Sequence, residues 1–209
     1  MPIIRVSLLE GWTMEQKAQV THELTEGLVS VLGEVSRPFI YVVVDEMQAG
    51  AVAFAGNVIT DEMNQEALAL SARQRTTVVN AQRTEQAYAA LASGDAEEIA
   101  QYWAKDVTWS VPGAHPLAGT KRGLDELRAY EQQRAQLSGG TFSSERLQAL
   151  IDGDTALVRS RDTAVRADRG ARSLAVDVLH TLTWCDGRVT AGSEAYAGPN
   201  AAANDSFWS

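Results

Sequence analysis

Residues 39–45 read FIYVVVD, an apolar run dominated by β-branched side chains. A water-facing helix would interleave polar residues every three or four positions. A strand with one wet face would alternate. This run does neither and fits a strand buried on both faces and parallel to its neighbour. The neighbour precedes it. In PIIRVSLLEG, Ile4, Val6 and Leu8 share one face, with Ile3, Arg5 and Ser7 on the other. Between the two lies a helix. Thr13 with Gln16 three residues on makes a capping box. Val20, Leu24, Leu28, Val31 and Leu32 recur at helical spacing, and Gly33 stops the run. Residues 2–45 therefore form one β-α-β unit, followed by a short hairpin or loop in AGAVAFAGNV. About 60 residues bury little of their own surface. The doubly apolar strand needs cover, and self-association supplies it.

The rest of the chain reads differently. A connecting helix spans about 61–78. From about 79 a second domain begins: a helix with Tyr88 and Leu91 ending at Ser93-Gly94-Asp95, a helix with Ile99, Tyr102 and Trp103, a short strand TWSVPG, and a third helix GLDELRAYEQQRAQL. Four strand candidates follow, ending in RSLAVDVLHTLTWCDG and GRVTAGSEAYAG. Gly–Asp pairs at 153–154 and 186–187 mark hairpin turns. Helices followed by an antiparallel meander make an α+β pattern. The organisation is 1–60 as one domain, 61–78 as a helical linker and 79–209 as a second domain.

Composition narrows the function. Twenty-seven acidic residues against 18 basic ones leave a net charge of −9, which repels phosphate backbones and argues against nucleic acid. No apolar run reaches membrane-spanning length, and the N-terminus lacks a signal-peptide pattern. These features, with a single cysteine, Cys185, lead us to expect a cytoplasmic protein with no membrane partner. Three dispersed histidines give no zinc spacing, and no nucleotide-binding glycine motif occurs. We expect no metal and no cofactor, and a small molecule as ligand.

Two stretches carry chemistry. Pro2 is the first. If Met1 is removed, Pro2 becomes an N-terminal secondary amine. The reference value for an α-amino group, about 7.7–8.0, falls in an apolar pocket toward the optimum for a base at neutral pH. The second is the pair of final strands. Val176, Val178, His180, Leu182 and Trp184 share one face; Gly192, Glu194 and Tyr196 share another. A histidine and a carboxylate on neighbouring strands can share acid–base work. His115 reads as shaping a pocket mouth, His22 as exposed, and Trp103 and Trp109 as core or cavity wall.

PIIRVSLLEG, EQKAQV and VVVDEM followed by Gly50 resemble the 4-oxalocrotonate tautomerase family. The resemblance implies a β-α-β fold, an N-terminal proline acid–base at Pro2, and hexameric or trimer-based assembly. Where that family carries its two substrate arginines, this chain has Trp12 and Tyr41. The family's pocket phenylalanine falls at Val52, close to Phe54. The implied pocket is apolar and aromatic, with Trp12, Tyr41 and Phe54 as its wall and Arg5 and Arg37 nearby in sequence.

YAALASGDAEEIAQYWAKDVTW, PGAHPLAGTKRGLDEL, VDVLHTLTWCDGRV and the ending DSFW resemble the SnoaL-like polyketide cyclases and ketosteroid isomerases. That resemblance implies a cone of curved, mostly antiparallel sheet with packed helices. The isomerase general base falls at Val111, its oxyanion tyrosine at Ala87 beside Tyr88, and its second oxyanion acid near His180. Together the two resemblances imply a homo-oligomeric, cofactor-independent isomerase or cyclase. It would act on an apolar, carbonyl-bearing, polyketide-like intermediate of secondary-metabolite biosynthesis. Pro2, His180 and Glu194 are its catalytic candidates, and Trp12, Tyr41, Phe54, Trp109 and Tyr196 its binding candidates. Two alternatives stand beside this: chemistry confined to the cone, with the first domain as an assembly module, and a binding protein without catalysis.

Overall fold

The computed structural model describes residues 1–167, 172–198 and 201–209. The chain divides into two compact units, Met1–Ala72 and Arg73–Ser209.

In the first unit, β1 (Ile3–Leu9) and β2 (Tyr41–Met47) pair in parallel, with Ile3 opposite Tyr41 and Leu9 opposite Met47. Between them runs α1 (Met14–Leu32). Thr13 and Gln16 exchange hydrogen bonds of 3.2 and 2.9 Å, which satisfies two amides the helix itself leaves free. Gly33 ends α1 at φ +85°, where a side chain would be strained. A hairpin of β3 (Ala53–Phe54) and β4 (Asn57–Val58) turns through Ala55 and Gly56, both at positive φ, as a tight two-residue turn requires. Double cover of β2 is not met among the described residues of the first unit. Tyr41 is 52% exposed and Ile3, opposite it, 66%. One helix on a two-stranded sheet covers one face only.

The helix α2 (Asp61–Ser93) is unbroken across the stretch read as linker and first helix of the second domain. The second unit continues with α3 (Ala96–Tyr102), β5 (Trp103–Val111), β6 (Gly119–Arg122) and α4 (Gly123–Leu137). Then come β7 (Ser143–Asp152), β8 (Thr155–Val165), β9 (Ser173–Cys185), β10 (Arg188–Ala197) and α5 (Ala201–Trp208). Trp103, read as helical, opens β5 instead, and β6 and α5 were not read as elements. The six strands form one sheet in the order β6-β5-β10-β9-β8-β7. All pairs are antiparallel except β5 with β10.

One face of the sheet is apolar and closed over by helices. On β9, Leu174, Val176, Val178, His180, Leu182 and Trp184 are buried; on β8, Ala156, Val158, Ser160, Asp162 and Ala164 are. A bulge between Val189 and Ala191 shifts the register of β10. Such an extra residue inverts the facing of the later strand positions, so Val189 and Glu194, five apart, both point inward. Among the described residues no helix is long and apolar enough to cross a membrane.

Candidate functional site

The interior of the second unit holds a cavity of about 510 Å³, lined among others by Tyr88, Trp109, Arg134, Phe142, His180 and Glu194. Strand pairing brings its polar centre together. Glu194 on β10 lies directly opposite His180 on β9. Trp109 lies opposite Gly192, where a Cβ would stand 2.3 Å from the indole ring. Only glycine there lets the indole lie flat against β10 and reach Glu194.

Glu194 is the most heavily bonded side chain of the site. Its Oε1 accepts from Trp109 Nε1 at 2.9 Å and from the Tyr130 hydroxyl at 2.8 Å. Its Oε2 accepts from the Tyr196 hydroxyl at 2.8 Å, and Arg134 Nη1 stands 3.9 Å from Oε1. Burial pushes its pKa up, but Arg134, His180 and the donated hydrogen bonds outweigh burial and leave it below the ordinary carboxylate value. Glu194 is thus an anion with both oxygens occupied. It supplies charge and holds neighbours in place, and is poorly suited to take a proton. Arg134 is buried too, bonded to Glu131 Oε2 at 2.6 Å and lying over the Phe142 ring at 3.9 Å. Burial disfavours its charge, yet Glu131, Tyr130 and Glu194 keep it a cation.

His180 is the complementary case. Its Nδ1 is 2.8 Å from the Tyr88 hydroxyl, and its ring stacks on Tyr88 and meets Trp109 edge-on. Among the described residues its Nε2 has no hydrogen-bond partner, and neither does Arg134 Nε. Burial lowers the imidazole pKa to about 4 against the pull of Glu194, so it is neutral at pH 7. Tyr88, pushed up chiefly by burial, keeps its proton.

The sequence reading joined His180, Glu194, Trp109 and Tyr196, and the structure brings these four together. It missed Tyr88, Tyr130 and Arg134, all on helices whose amphipathic patterns look like ordinary core and surface. It also missed Asp162. The alternation on β8 was the available signal, since it puts an acid on the same parity as Ala156 and Val158. His115 is buried against α5, its Nε2 3.5 Å from Asn204 Nδ2 and 3.7 Å from Asp205. Val111 and Ala87 are core residues.

The first unit's candidates are more dispersed. Pro2 heads β1, its carbonyl accepting the Tyr41 N–H at 3.1 Å. Trp12 is half-buried in the loop before α1, and Phe54 is 78% exposed at the end of β3. Arg5 pairs with Asp45 at 3.3 Å, and Arg37 with Glu26 and Glu34. Each arginine is thus already engaged by a carboxylate. Among the described residues no three His, Cys, Asp or Glu side chains gather as a metal site.

Two buried groups set opposite pH dependences. The unfolded chain protonates His180 near 6.5, the folded chain only near 4. Between those values the unfolded state binds more protons, so stability falls as pH drops. Asp162 runs the other way: burial raises it from 3.8 to about 6, with Arg134 and Ser144 opposing. Its stabilising contribution is complete below 3.8 and disappears as pH rises through 6. Each effect amounts to about 2–3 kcal/mol, and together they nearly cancel. Asp162→Asn should therefore lose about 2–3 kcal/mol between pH 6.5 and 4 that the parent keeps. Urea midpoints across that range test it, and parallel curves for the two proteins refute it.

Comparison with known proteins fits both halves of this description. A family model described as Tautomerase enzyme matches residues 2–62, and a SnoaL-like domain model matches residues 84–192. An uncharacterized protein of Mycobacterium tuberculosis is 36% identical over 121 residues, 58% of this chain and 89% of that protein. A probable tautomerase of Ralstonia nicotianae is 41% identical over 56 residues, 27% of this chain and 79% of that one. Among solved structures, Bal32a from a soil-derived mobile gene cassette superposes with a TM-score of 0.57 at 28% identity. The match covers 64% of this chain and 99% of Bal32a. The two families support an isomerase- or cyclase-type activity. With a SnoaL-like match over more than half its length and a tautomerase match ahead of it, the chain belongs to the SnoaL-like family and carries an N-terminal tautomerase domain.

Proposed function

We propose that the cavity of the SnoaL-like unit is the active site of a cofactor-independent isomerase or cyclase acting on an apolar, carbonyl-bearing small molecule. One observation carries this reading. His180 Nε2 and Arg134 Nε, on the wall of one mostly apolar cavity, are both buried and both without partners among the described residues. A buried polar atom left unpaired costs about 1–3 kcal/mol, and a carbonyl compound bound there would relieve it. With Nδ1–H donated to Tyr88, Nε2 presents its lone pair and takes a proton from the carbon α to the carbonyl. The C–H electron pair forms the enolate C=C bond, and the carbonyl π pair moves onto the oxygen, whose developing charge faces Arg134. The imidazolium lies opposite the Glu194 carboxylate. Because its pKa is low, it readily returns the proton to a second carbon. Alternatively, the enolate closes on a second carbonyl, and the proton goes to the new alkoxide.

The test is hydrogen–deuterium exchange at the α-carbon of 1-phenyl-1,3-butanedione, followed by NMR. His180→Gln should slow protein-dependent exchange by about a hundredfold or more, with folding checked by circular dichroism. Exchange unchanged in that variant refutes the reading. Absence of any protein-dependent exchange favours a binding protein.

A second reading has one observation behind it: the tautomerase match begins at Pro2. In that reading, removal of Met1 frees the Pro2 amine to act as base. Pro2→Ala in the same assay separates the two, since it leaves a cavity-based reaction intact. The uncovered Ile3, Tyr41 and Phe54 support self-association of the first unit around this end of the sheet. The single exposed cysteine fits a cytoplasmic setting.

A further inference from the structure

In this acidic chain many cations are held by carboxylates: Arg73 by Asp152, Arg146 by Glu85, Arg159 and Arg161 by Asp177. Among the described residues, four that pair with no carboxylate side chain lie together. Lys105 on β5, Arg122 at the end of β6, Arg128 on α4 and Arg188 at the head of β10 line a second cleft of about 420 Å³ with Trp103 in its wall. Arg128 donates to the Gly94 carbonyl at 3.3 Å and Arg188 to the Ala100 carbonyl at 3.1 Å. Neither bond brings a negative charge. The side chains of Lys105 and Arg122 make no hydrogen bond or ion pair among the described residues. One carboxylate, Asp125, shares the lining.

Four cations around one concavity repel one another, and the low-dielectric wall beneath them strengthens their joint field. A net charge of −9 hides this local excess. A monoanion leaves most of it uncompensated. A diphosphate brings two or three charges and several acceptor oxygens, which suit guanidinium forks and a lysine ammonium together. Arg128 lines both this cleft and the 510 Å³ cavity, so the two adjoin.

We propose that the cleft binds a diphosphate group. Resting on the function proposed above, this group is the handle of a substrate whose apolar carbonyl end enters the adjoining cavity past Arg128. An activated, carrier-borne substrate would then have to be supplied by a phosphoryl- or nucleotidyl-transferring reaction.

The test needs no turnover. Inorganic pyrophosphate is titrated into the full chain by calorimetry, at low and high salt. Saturable, salt-weakened binding is expected. Lys105→Gln and Arg122→Gln, both exposed and without side-chain bonds, should each weaken it about tenfold, and the double variant about a hundredfold. ADP distinguishes the sources: tighter binding than pyrophosphate assigns the handle to a nucleotide, equal binding to a bare diphosphate. No saturable binding of either, or affinity unchanged in the double variant, overturns the proposal. His180→Gln should bind pyrophosphate as the parent does. Failure of the catalytic reading therefore leaves this result interpretable.

Discussion

Replacing Glu194 by alanine is expected to destabilise the SnoaL-like unit by about 3–5 kcal/mol, the range for removing one partner of a buried ion pair. The carboxylate is 6% exposed, and four groups depend on it. Trp109, Tyr130 and Tyr196 each donate to it at 2.8–2.9 Å, and alanine leaves all three donors without an acceptor. Arg134 keeps Glu131 but loses the Glu194 charge that faces it from β10. The urea midpoint of the full chain measures this, and a change below about 1 kcal/mol would show that water takes over all four roles. The pH dependence has a defined sign. Because its folded pKa lies below the unfolded 4.5, Glu194 stabilises the fold above pH 4.5. That contribution is lost as pH falls through the folded value. Glu194→Ala should therefore be less sensitive than the parent to acid below pH 4.5.

Trp103→Ala is expected to cost about 3–5 kcal/mol, the range for deleting a large buried aromatic. Trp103 has no exposed surface. Its indole N–H donates to the Ala87 carbonyl at 2.8 Å, which ties β5 to α2. Its ring meets Tyr88 and Trp109 edge-on, with centroids 6.4 and 5.8 Å away. Its loss thus reaches two residues of the cavity wall, and His180 through both. Trp184 is the control: about as buried, but with an indole nitrogen that has no partner among the described residues. Trp184→Phe removes an unpaired donor and should cost less than about 1.5 kcal/mol. Equal losses from Trp103→Ala and Trp184→Phe would mean that hydrogen bonding and ring packing at Trp103 contribute nothing specific.

Local signals alone specify much of this protein. The capping box at Thr13, the stop at Gly33 and the unbroken apolar run into β2 define the first unit, because each acts over a few residues of chain. The two-residue period groups His180 with Val176, Val178 and Leu182, and Glu194 with Gly192 and Tyr196. Which face turns inward, and the bulge that lets Glu194 join Val189 there, belong to the fold. Three things depended on tertiary structure. The open face of β2 is one: sequence shows a strand that needs cover, but only the arrangement of elements shows which side lacks it. The role of Glu194 is another. Its charge is readable, but Trp109, Tyr130, Arg134 and Tyr196 converge on it from positions up to 85 residues away. Proton affinity depends on distances of a few ångströms, so no pattern along the chain reports it. The cationic cleft is the last. Lys105, Arg122, Arg128 and Arg188 are dispersed in an acidic sequence and become a site only when β5, β6, α4 and β10 bring them to one concavity. Coulomb energy depends on separation in space, and the chain order carries no record of that separation.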